Sequence, residues 1–214
     1  MSLLDLVVQT VMVTPSGAFS PGPLTTAAVV QGALRNTPGE ALRSGLKVAA
    51  GHMAFELPYV LALGLISSML AALEKPLAVV SFIFSLFFAY LTARSGVEAI
   101  KGLGDRTNAV RRTTPFLTGV LFTGANPYFL MWWATVGLPI VGQAFKLGLL
   151  GIAVMYSSHV WMDYLWLGLM ASTGGASRLL RGKWYGYLLV ALAALLALFG
   201  TNMLLRAFLG VFLI

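Results

Sequence analysis

The sequence contains no cysteine, few charged residues and only two histidines. Of its 214 residues, 58% are apolar and 10% are charged, against about 25% charged in an average soluble domain. The absence of cysteine excludes disulfides, thiolate metal sites and thiol redox chemistry. A soluble chain of this length could not cover so much apolar surface, and several stretches exceed the length that spans a bilayer. The composition therefore predicts an integral membrane protein.

The net charge of +7 does not indicate nucleic-acid binding, because the basic residues are scattered through short connections. We expect six membrane-spanning segments in an all-α protein, with no cleaved signal peptide because the first residues lack a basic stretch. The predicted segments are 3–34, 46–71, 76–97, 115–140, 145–172 and 184–209.

The distribution of basic residues predicts the orientation of the chain in the cell membrane. Eleven of them lie in or beside the first, third and fifth connections, and only Lys75, Lys146 and Arg206 lie on the other side. Cytoplasmic connections carry the excess of lysine and arginine. Both termini are therefore expected outside.

The two halves of the chain resemble each other at an offset of 107 residues. His52 then aligns with His159, Glu56 with Asp163, and Tyr59 with Trp166. Each half, 1–107 and 108–214, holds three predicted segments, and an odd number inverts the second half in the membrane. The sequence therefore predicts two inverted three-helix repeats in one membrane domain, an architecture found in secondary transporters.

The two aligned histidines each precede a carboxylate by four residues, which places each pair on one helix face. Charged groups inside a bilayer are costly, so His52, Glu56, His159 and Asp163 should face the protein interior. They predict either a substrate and proton site, with the histidines carrying protons, or two structural interhelix pairs. Pro58 would either free the carbonyl of Ala54 as a cation acceptor or simply kink the helix for packing.

The first and fourth segments are interrupted at matching places. Ser20-Pro21, followed by Gly22, and Asn126-Pro127 both have the pattern of a helix N-cap followed by a first-turn proline. Half-helices that begin inside the membrane would direct N–H groups at a substrate carboxylate; two simple proline kinks are the alternative. Aromatic residues near the predicted segment ends or within the fourth segment are expected to be interfacial anchors or lipid-facing side chains: Trp132, Trp133, Trp184 and Tyr185.

These motifs resemble the lysine-exporter (LysE/RhtB) family of amino-acid effluxers. Ser20-Pro21-Gly22-Pro23 is similar to the family's Pro-Gly-Pro motif, and Asn126-Pro127 to its Asn-Pro motif. The resemblance covers essentially the whole chain and implies efflux of amino acids or related small solutes, driven by protons or by exchange. This chain differs from many members at Leu24, His52 and Tyr128.

Amino-acid export is therefore the first functional hypothesis, with a small-molecule substrate and the lipid bilayer as partners. The expected substrate-binding residues are Ser20, Pro21, Gly22, Glu56, Asn126, Pro127 and Asp163, and the expected proton carriers are His52 and His159. The alternative is export of a divalent metal, with His52, Glu56, His159 and Asp163 as ligands. We expect no cofactor and no enzymatic activity, since His-x3-Glu is not a metalloprotease motif. The sequence leaves homo-oligomerisation open.

Overall fold

The computed structural model describes residues 2–19, 22–66, 74–101, 113–179 and 183–211 of the chain. These residues are helical almost throughout and contain no strand. The ten α-helices are α1 Leu3–Val13, α2 Pro15–Ala18, α3 Pro23–Ala33, α4 Pro38–Leu65, α5 Glu74–Ile100, α6 Pro115–Gly124, α7 Pro127–Trp132, α8 Leu138–Lys146, α9 Gly148–Leu179 and α10 Lys183–Leu209. A π-helical turn, Trp133–Gly137, joins α7 to α8.

Prolines mark the start of several of these helices. Helices α3, α4, α6 and α7 each begin at a proline, where the missing N–H leaves no helical hydrogen bond unmade. Thr37, Thr114 and Asn126 cap the last three through side-chain oxygens. Helix α4 therefore begins eight residues before the predicted segment. The prediction began the segment after Arg43, but this residue is exposed and the helix extends through it back to the cap at Thr37.

By length and apolar composition, three described helices qualify as membrane spans: Pro38–Leu65, Ala78–Glu98 and Tyr128–Lys146. A fourth is added if Leu3–Ala18 and Pro23–Ala33, bent by 69°, form one broken span. Helices α9 and α10, with 32 and 27 residues, are also longer than the roughly 20 residues that cross a bilayer. The described residues of each predicted segment are mostly helical, and helices in the first and fourth segments are separated by breaks before Pro23 and before Pro127.

Helices α4 and α9 pack side by side at the centre of the described structure. Helix α3 lies against α9, α6 lies against α4, and α5 pairs with α10. Small residues allow the close approach of α4 and α6: a Cβ on Gly51 would overlap the carbonyl of Phe116, and one on Gly119 would overlap that of Val48. Such small-residue contacts are typical of helix packing in membranes.

The chain reverses sharply between α8 and α9. Gly148 has a φ of 70°, a left-handed conformation that residues with a side chain rarely adopt. The turn lets α9 pack back along α8 and brings its histidine–carboxylate pair to the centre of the structure.

Candidate functional site

The two histidine–carboxylate pairs are formed locally, within single helices, as predicted. His52 Nε2 lies 3.2 Å from Glu56 Oε1 on α4. His159 Nε2 lies 3.1 Å from Asp163 Oδ2 on α9. All four residues are at most 4% exposed, which agrees with the expectation that they face the interior.

The packing of α4 against α9 brings both pairs into one cluster, which we call the quartet: His52, Glu56, His159 and Asp163. His159 Nε2 lies 3.3 Å from Glu56 Oε1 across the helix interface, and His52 Nε2 lies 3.8 Å from Asp163 Oδ2. Nitrogen and oxygen atoms therefore alternate around a ring. The ring contains contacts within each helix and between the helices, so both sequence-based interpretations, a substrate and proton site and two structural interhelix pairs, stay predictions.

A threonine from the opposite half of the chain orients each imidazole. Thr14 Oγ1 lies 3.0 Å from His159 Nδ1, and Thr123 Oγ1 lies 2.8 Å from His52 Nδ1. Each hydroxyl makes its shorter contact with a backbone carbonyl one helical turn back, at 2.7 Å for Thr14 and 2.6 Å for Thr123. Because a hydroxyl has one proton, the threonine oxygen accepts and Nδ1–H of the histidine donates.

This tautomer directs both Nε2 atoms at the carboxylates. A neutral imidazole with its proton on Nδ1 presents a lone pair at Nε2, and a lone pair facing a carboxylate oxygen in a buried site is repulsive. The quartet is therefore stable only when positive charge lies between these atoms. That charge can be protons on Nε2, a substrate ammonium or a metal ion.

Glu56 is held by two further donors. Trp133 Nε1 donates to Oε1 at 2.9 Å, and the Tyr156 hydroxyl donates to Oε2 at 3.0 Å. Since both oxygens accept hydrogen bonds, Glu56 acts as a carboxylate. Asp163 differs, because its buried Oδ2 accepts no hydrogen bond of good geometry from any described residue.

The quartet opens onto a small cavity that also reaches both interruptions of the chain. The cavity has a volume of about 40 Å³ and is lined by Gly22 and Asn126 as well as by the quartet. Gly22 is the N-cap of α3, and Asn126 caps α7 by accepting from the N–H of Phe129 at 3.4 Å. The two interruptions adjoin, since a Cβ on Gly22 would lie 3.7 Å from Asn126 Nδ2.

Helix α3 begins two residues later than the sequence predicted. Its N-cap is Gly22 and its first residue is Pro23, so the assignment of Ser20 as N-cap and Pro21 as first residue is wrong. A residue that precedes proline avoids the helical region, and Gly22 is accordingly extended, with φ −147° and ψ −170°. Ser20 and Pro21 themselves lie outside the described residues, whereas the prediction of Asn126 as N-cap and Pro127 as first residue of α7 is confirmed.

Aromatic side chains enclose the second histidine. The ring centroids of Trp133 and His159 are 4.7 Å apart, and those of Trp132 and His159 are 6.0 Å apart. Both tryptophans are buried, so their interpretation as interfacial anchors or lipid-facing side chains is wrong. The π-helical turn begins at Trp133, and such turns are frequent at functional sites. The side chains of Trp184 and Tyr185 lie outside the described part of the structure.

Several residues of the site were missed by the sequence analysis: Thr14, Thr123, Trp133 and Tyr156. At the offset of 107, Thr123 aligns with Ser16, and this alignment of two hydroxyl residues is the signal in the sequence that could have found it. Tyr156 lies three residues before His159, so a search for polar residues on the same helix face would have found it. Ala54 has an exposed side chain and does not line the cavity, because it lies between His52 and Glu56 on the opposite face of α4.

Comparison with known families places the chain among membrane translocators. The family described as LysE type translocator matches residues 15–207, a range that includes the quartet and both interruptions. No curated protein and no solved structure matches the chain.

Proposed function

Because the chain belongs to the LysE type translocator family, and is thus a multi-pass membrane exporter of small solutes, we propose that it exports amino acids across the cytoplasmic membrane in exchange for protons. One observation carries this proposal. A single buried cavity joins two helix N-termini to two carboxylates and two histidines. An amino acid needs these two kinds of partner, one for each of its charges.

The substrate carboxylate would bind at the two interruptions. The N-termini of α3 and α7 leave backbone N–H groups unpaired and carry partial positive charge, and Gly22 and Asn126 lie at the cavity. Although α7 is short by itself, it continues through the π-helical turn into α8. The N–H groups at its start therefore belong to one long helix, Tyr128–Lys146, of 19 residues. Ser20 and Pro21 would complete the first interruption, and Pro127 begins the second.

The substrate ammonium would bind at the quartet, between Glu56 and Asp163. It would replace the positive charge that the protons on His52 and His159 otherwise supply. Since ammonium and protons cannot occupy the same space beside the carboxylates, binding of one displaces the other. This competition at one site is a physical basis for exchange of substrate against protons.

The proposed architecture is six spans in two inverted repeats, 1–107 and 108–214. Contacts between the halves support it, because equivalent helices meet: α4 packs against α9, and α5 against α10. Tyr59 and Trp166, aligned at the offset of 107, donate to Leu130 O at 2.8 Å and to Thr25 Oγ1 at 3.0 Å. Each thus binds the half-helix that follows the interruption in the opposite half. We retain the proposed placement of both termini outside.

Transport requires the cavity to open. Its volume of about 40 Å³ holds only a few water molecules, at the roughly 10–15 Å³ of such space that each one needs. Pockets that bind whole small molecules occupy about 300–1,000 Å³. The cavity is therefore too small for an amino acid in the described conformation, and the helices around the quartet must separate to admit one.

The test is efflux from proteoliposomes loaded with single labelled amino acids. We expect at least one of them to leave faster than from protein-free vesicles, and faster still when the proton gradient is directed into the vesicles. Glu98→Gln is a suitable control variant, since Glu98 pairs with Arg94 away from the quartet at 3.0 Å. Folded protein that moves none of the twenty amino acids under either gradient would contradict the proposal.

A further inference from the structure

We propose that the quartet is also a binding site for one divalent transition-metal ion. The ligands are Nε2 of His52 and of His159 and one oxygen each from Glu56 and Asp163. Metal export, the second function that the sequence leaves open, requires such a site. The inference concerns binding, and it does not depend on amino-acid export.

The four N···O contacts around the ring are close to the ligand spacing of a tetrahedral site. The four N···O separations around the ring are 3.1, 3.2, 3.3 and 3.8 Å. A tetrahedral zinc site with bonds of about 2.0–2.2 Å has ligand–ligand separations of roughly 3.3–3.5 Å. Ligand atoms from three of the residues, His52, Glu56 and Asp163, all lie within 4.8 Å of one another, and His159 Nε2 joins them through its contacts with Glu56 and Asp163. Small side-chain adjustments therefore suffice to surround an ion.

The histidines are already oriented as metal ligands. Metal-bound histidines usually donate their other ring N–H to an oxygen, which fixes the ring and directs the lone pair at the ion. Thr14 and Thr123 accept such bonds at 3.0 and 2.8 Å. Both imidazoles of the quartet therefore have a threonine hydroxyl at Nδ1. Two histidine–carboxylate ion pairs would not require this orientation, whereas a metal site does.

Asp163 supplies an independent indication of a ligand. Its Oδ2 is buried, and it accepts no hydrogen bond of good geometry from the described residues. A buried carboxylate oxygen without a well-aligned donor is destabilising, and here the atom lies 3.1 Å from one Nε2 and 3.8 Å from the other. A cation between them would satisfy this oxygen and both nitrogens at once.

The ligand types favour zinc, cobalt or nickel over magnesium and calcium. Imidazole suits the later first-row metals, whereas calcium and magnesium take oxygen ligands in larger coordination numbers. Two imidazoles and two carboxylates also balance the charge of a divalent ion in a site closed to bulk water. We therefore expect one Zn²⁺ or Co²⁺ per chain.

The experiment titrates the purified full-length protein in detergent with CoCl₂ and follows the visible absorption of the ion. Tetrahedral Co²⁺ absorbs far more strongly than octahedral Co²⁺, so the spectrum reports the geometry. We expect a tetrahedral spectrum that saturates at one ion per chain, and displacement of the cobalt by added zinc. Calorimetry with ZnCl₂ gives the affinity of each variant.

The variants separate a built site from adventitious binding. Asp163→Asn and His52→Ala should abolish the tetrahedral spectrum, while Glu98→Gln should leave it unchanged. Thr123→Val keeps all four ligands and should weaken binding about 10–100-fold through loss of the outer partner. If Asp163→Asn or His52→Ala does not fold, the affinity of Thr123→Val tests whether the quartet binds the metal.

An octahedral spectrum, or an affinity that Asp163→Asn and Thr123→Val leave unchanged in folded protein, would overturn the metal site. Amino-acid efflux by a preparation that binds no Co²⁺ would also overturn it and would leave the proposed function standing. Metal binding by folded protein that exports no amino acid would support the metal site and contradict the proposed function.

Discussion

The two carboxylates of the quartet occupy equivalent positions in the two halves of the chain but have different surroundings. Glu56 accepts hydrogen bonds from Trp133 and Tyr156 in addition to its contacts with both histidines. Among the described residues, Asp163 forms its ion-pair contacts with the two histidines, and its Oδ2 lacks a hydrogen bond of good geometry from them. The two acids therefore occupy equivalent positions in the repeat but differ in the hydrogen bonds that they accept.

The difference has a visible origin in the sequence. At the offset of 107, Trp133 aligns with Thr26 and Tyr156 aligns with Ala49. Neither Thr26 nor Ala49 carries a donor that can replace an indole or a phenol at the same place. We infer that Glu56 is a fixed anion of the site, whereas Asp163 is the carboxylate that exchanges its partner during transport.

The largest expected effect is on the stability of the two acid-to-leucine variants. Glu56→Leu leaves the N–H of Trp133 and the O–H of Tyr156 without their acceptor and removes one of the two carboxylates beside the imidazoles, so it should destabilise the protein by about 3–5 kcal/mol. Asp163→Leu removes fewer contacts and should lower stability by about 1–3 kcal/mol. Thermal unfolding of both variants in the same detergent measures the difference, and equal losses would show that the two acids have the same structural role.

The phenol that distinguishes Glu56 can be removed by itself. Tyr156→Phe keeps the ring and deletes one hydrogen bond to a carboxylate, a loss of about 1.5–3 kcal/mol in unfolding free energy. Tyr164→Phe on the same helix is the control, because the Tyr164 hydroxyl makes only a 3.8 Å contact with the sulfur of Met53. If both variants unfold at the wild-type temperature, the bond from Tyr156 does not hold Glu56 in place.

Thr14 and Thr123 represent a feature that the two halves share, a threonine hydroxyl that orients each imidazole. Thr14→Val and Thr123→Val each remove the acceptor of one histidine Nδ1–H at nearly constant volume, and each should lower stability by about 1 kcal/mol. Thr135→Val is the control, since the Thr135 hydroxyl bonds the carbonyl of Met131 on its own helix. Unfolding measurements that detect a loss in only one half would contradict the symmetric orientation of the two imidazoles.

The smallest effects are expected at the two interruptions. Asn126→Ala removes the cap of α7 and should lower stability by about 1 kcal/mol. Gly22→Ala should change it by only a few tenths of a kcal/mol, because the new Cβ meets Asn126 Nδ2 at an ordinary distance of 3.7 Å. A large loss from Gly22→Ala, seen as a lower unfolding temperature, would mean that the first interruption needs glycine for its conformation.

Local features of this molecule were predictable and long-range ones were not. The i, i+4 pairing of His52 with Glu56 and of His159 with Asp163 follows from helical geometry alone, as does the cap at Asn126. The start of α3 was misplaced because Pro21 and Pro23 both fit a first helical position, and only the extended backbone of Gly22 decides between them.

The convergence of both pairs depends on how α4 packs against α9, and no residue pattern within one helix encodes that contact. The hydrogen-bond donors to Glu56 could not be predicted from a pattern within one helix either. Trp133 and Tyr156 come from other helices, at sequence separations of 77 and 100 residues. Composition favoured an interfacial place for Trp133 because tryptophan is enriched there, and burial against His159 overrides this preference.

The central claim, that the quartet is the transport site, is tested most directly by comparing efflux in wild type, Asp163→Asn and Glu98→Gln. The three proteins are reconstituted at equal density, and the initial efflux of the best amino-acid substrate is measured under an inward proton gradient. The account predicts that Asp163→Asn loses at least about 30-fold, since removing one partner of a buried charge pair costs roughly 2–5 kcal/mol of binding, while Glu98→Gln transports like the wild type. Folded Asp163→Asn that transports at the wild-type rate would contradict it.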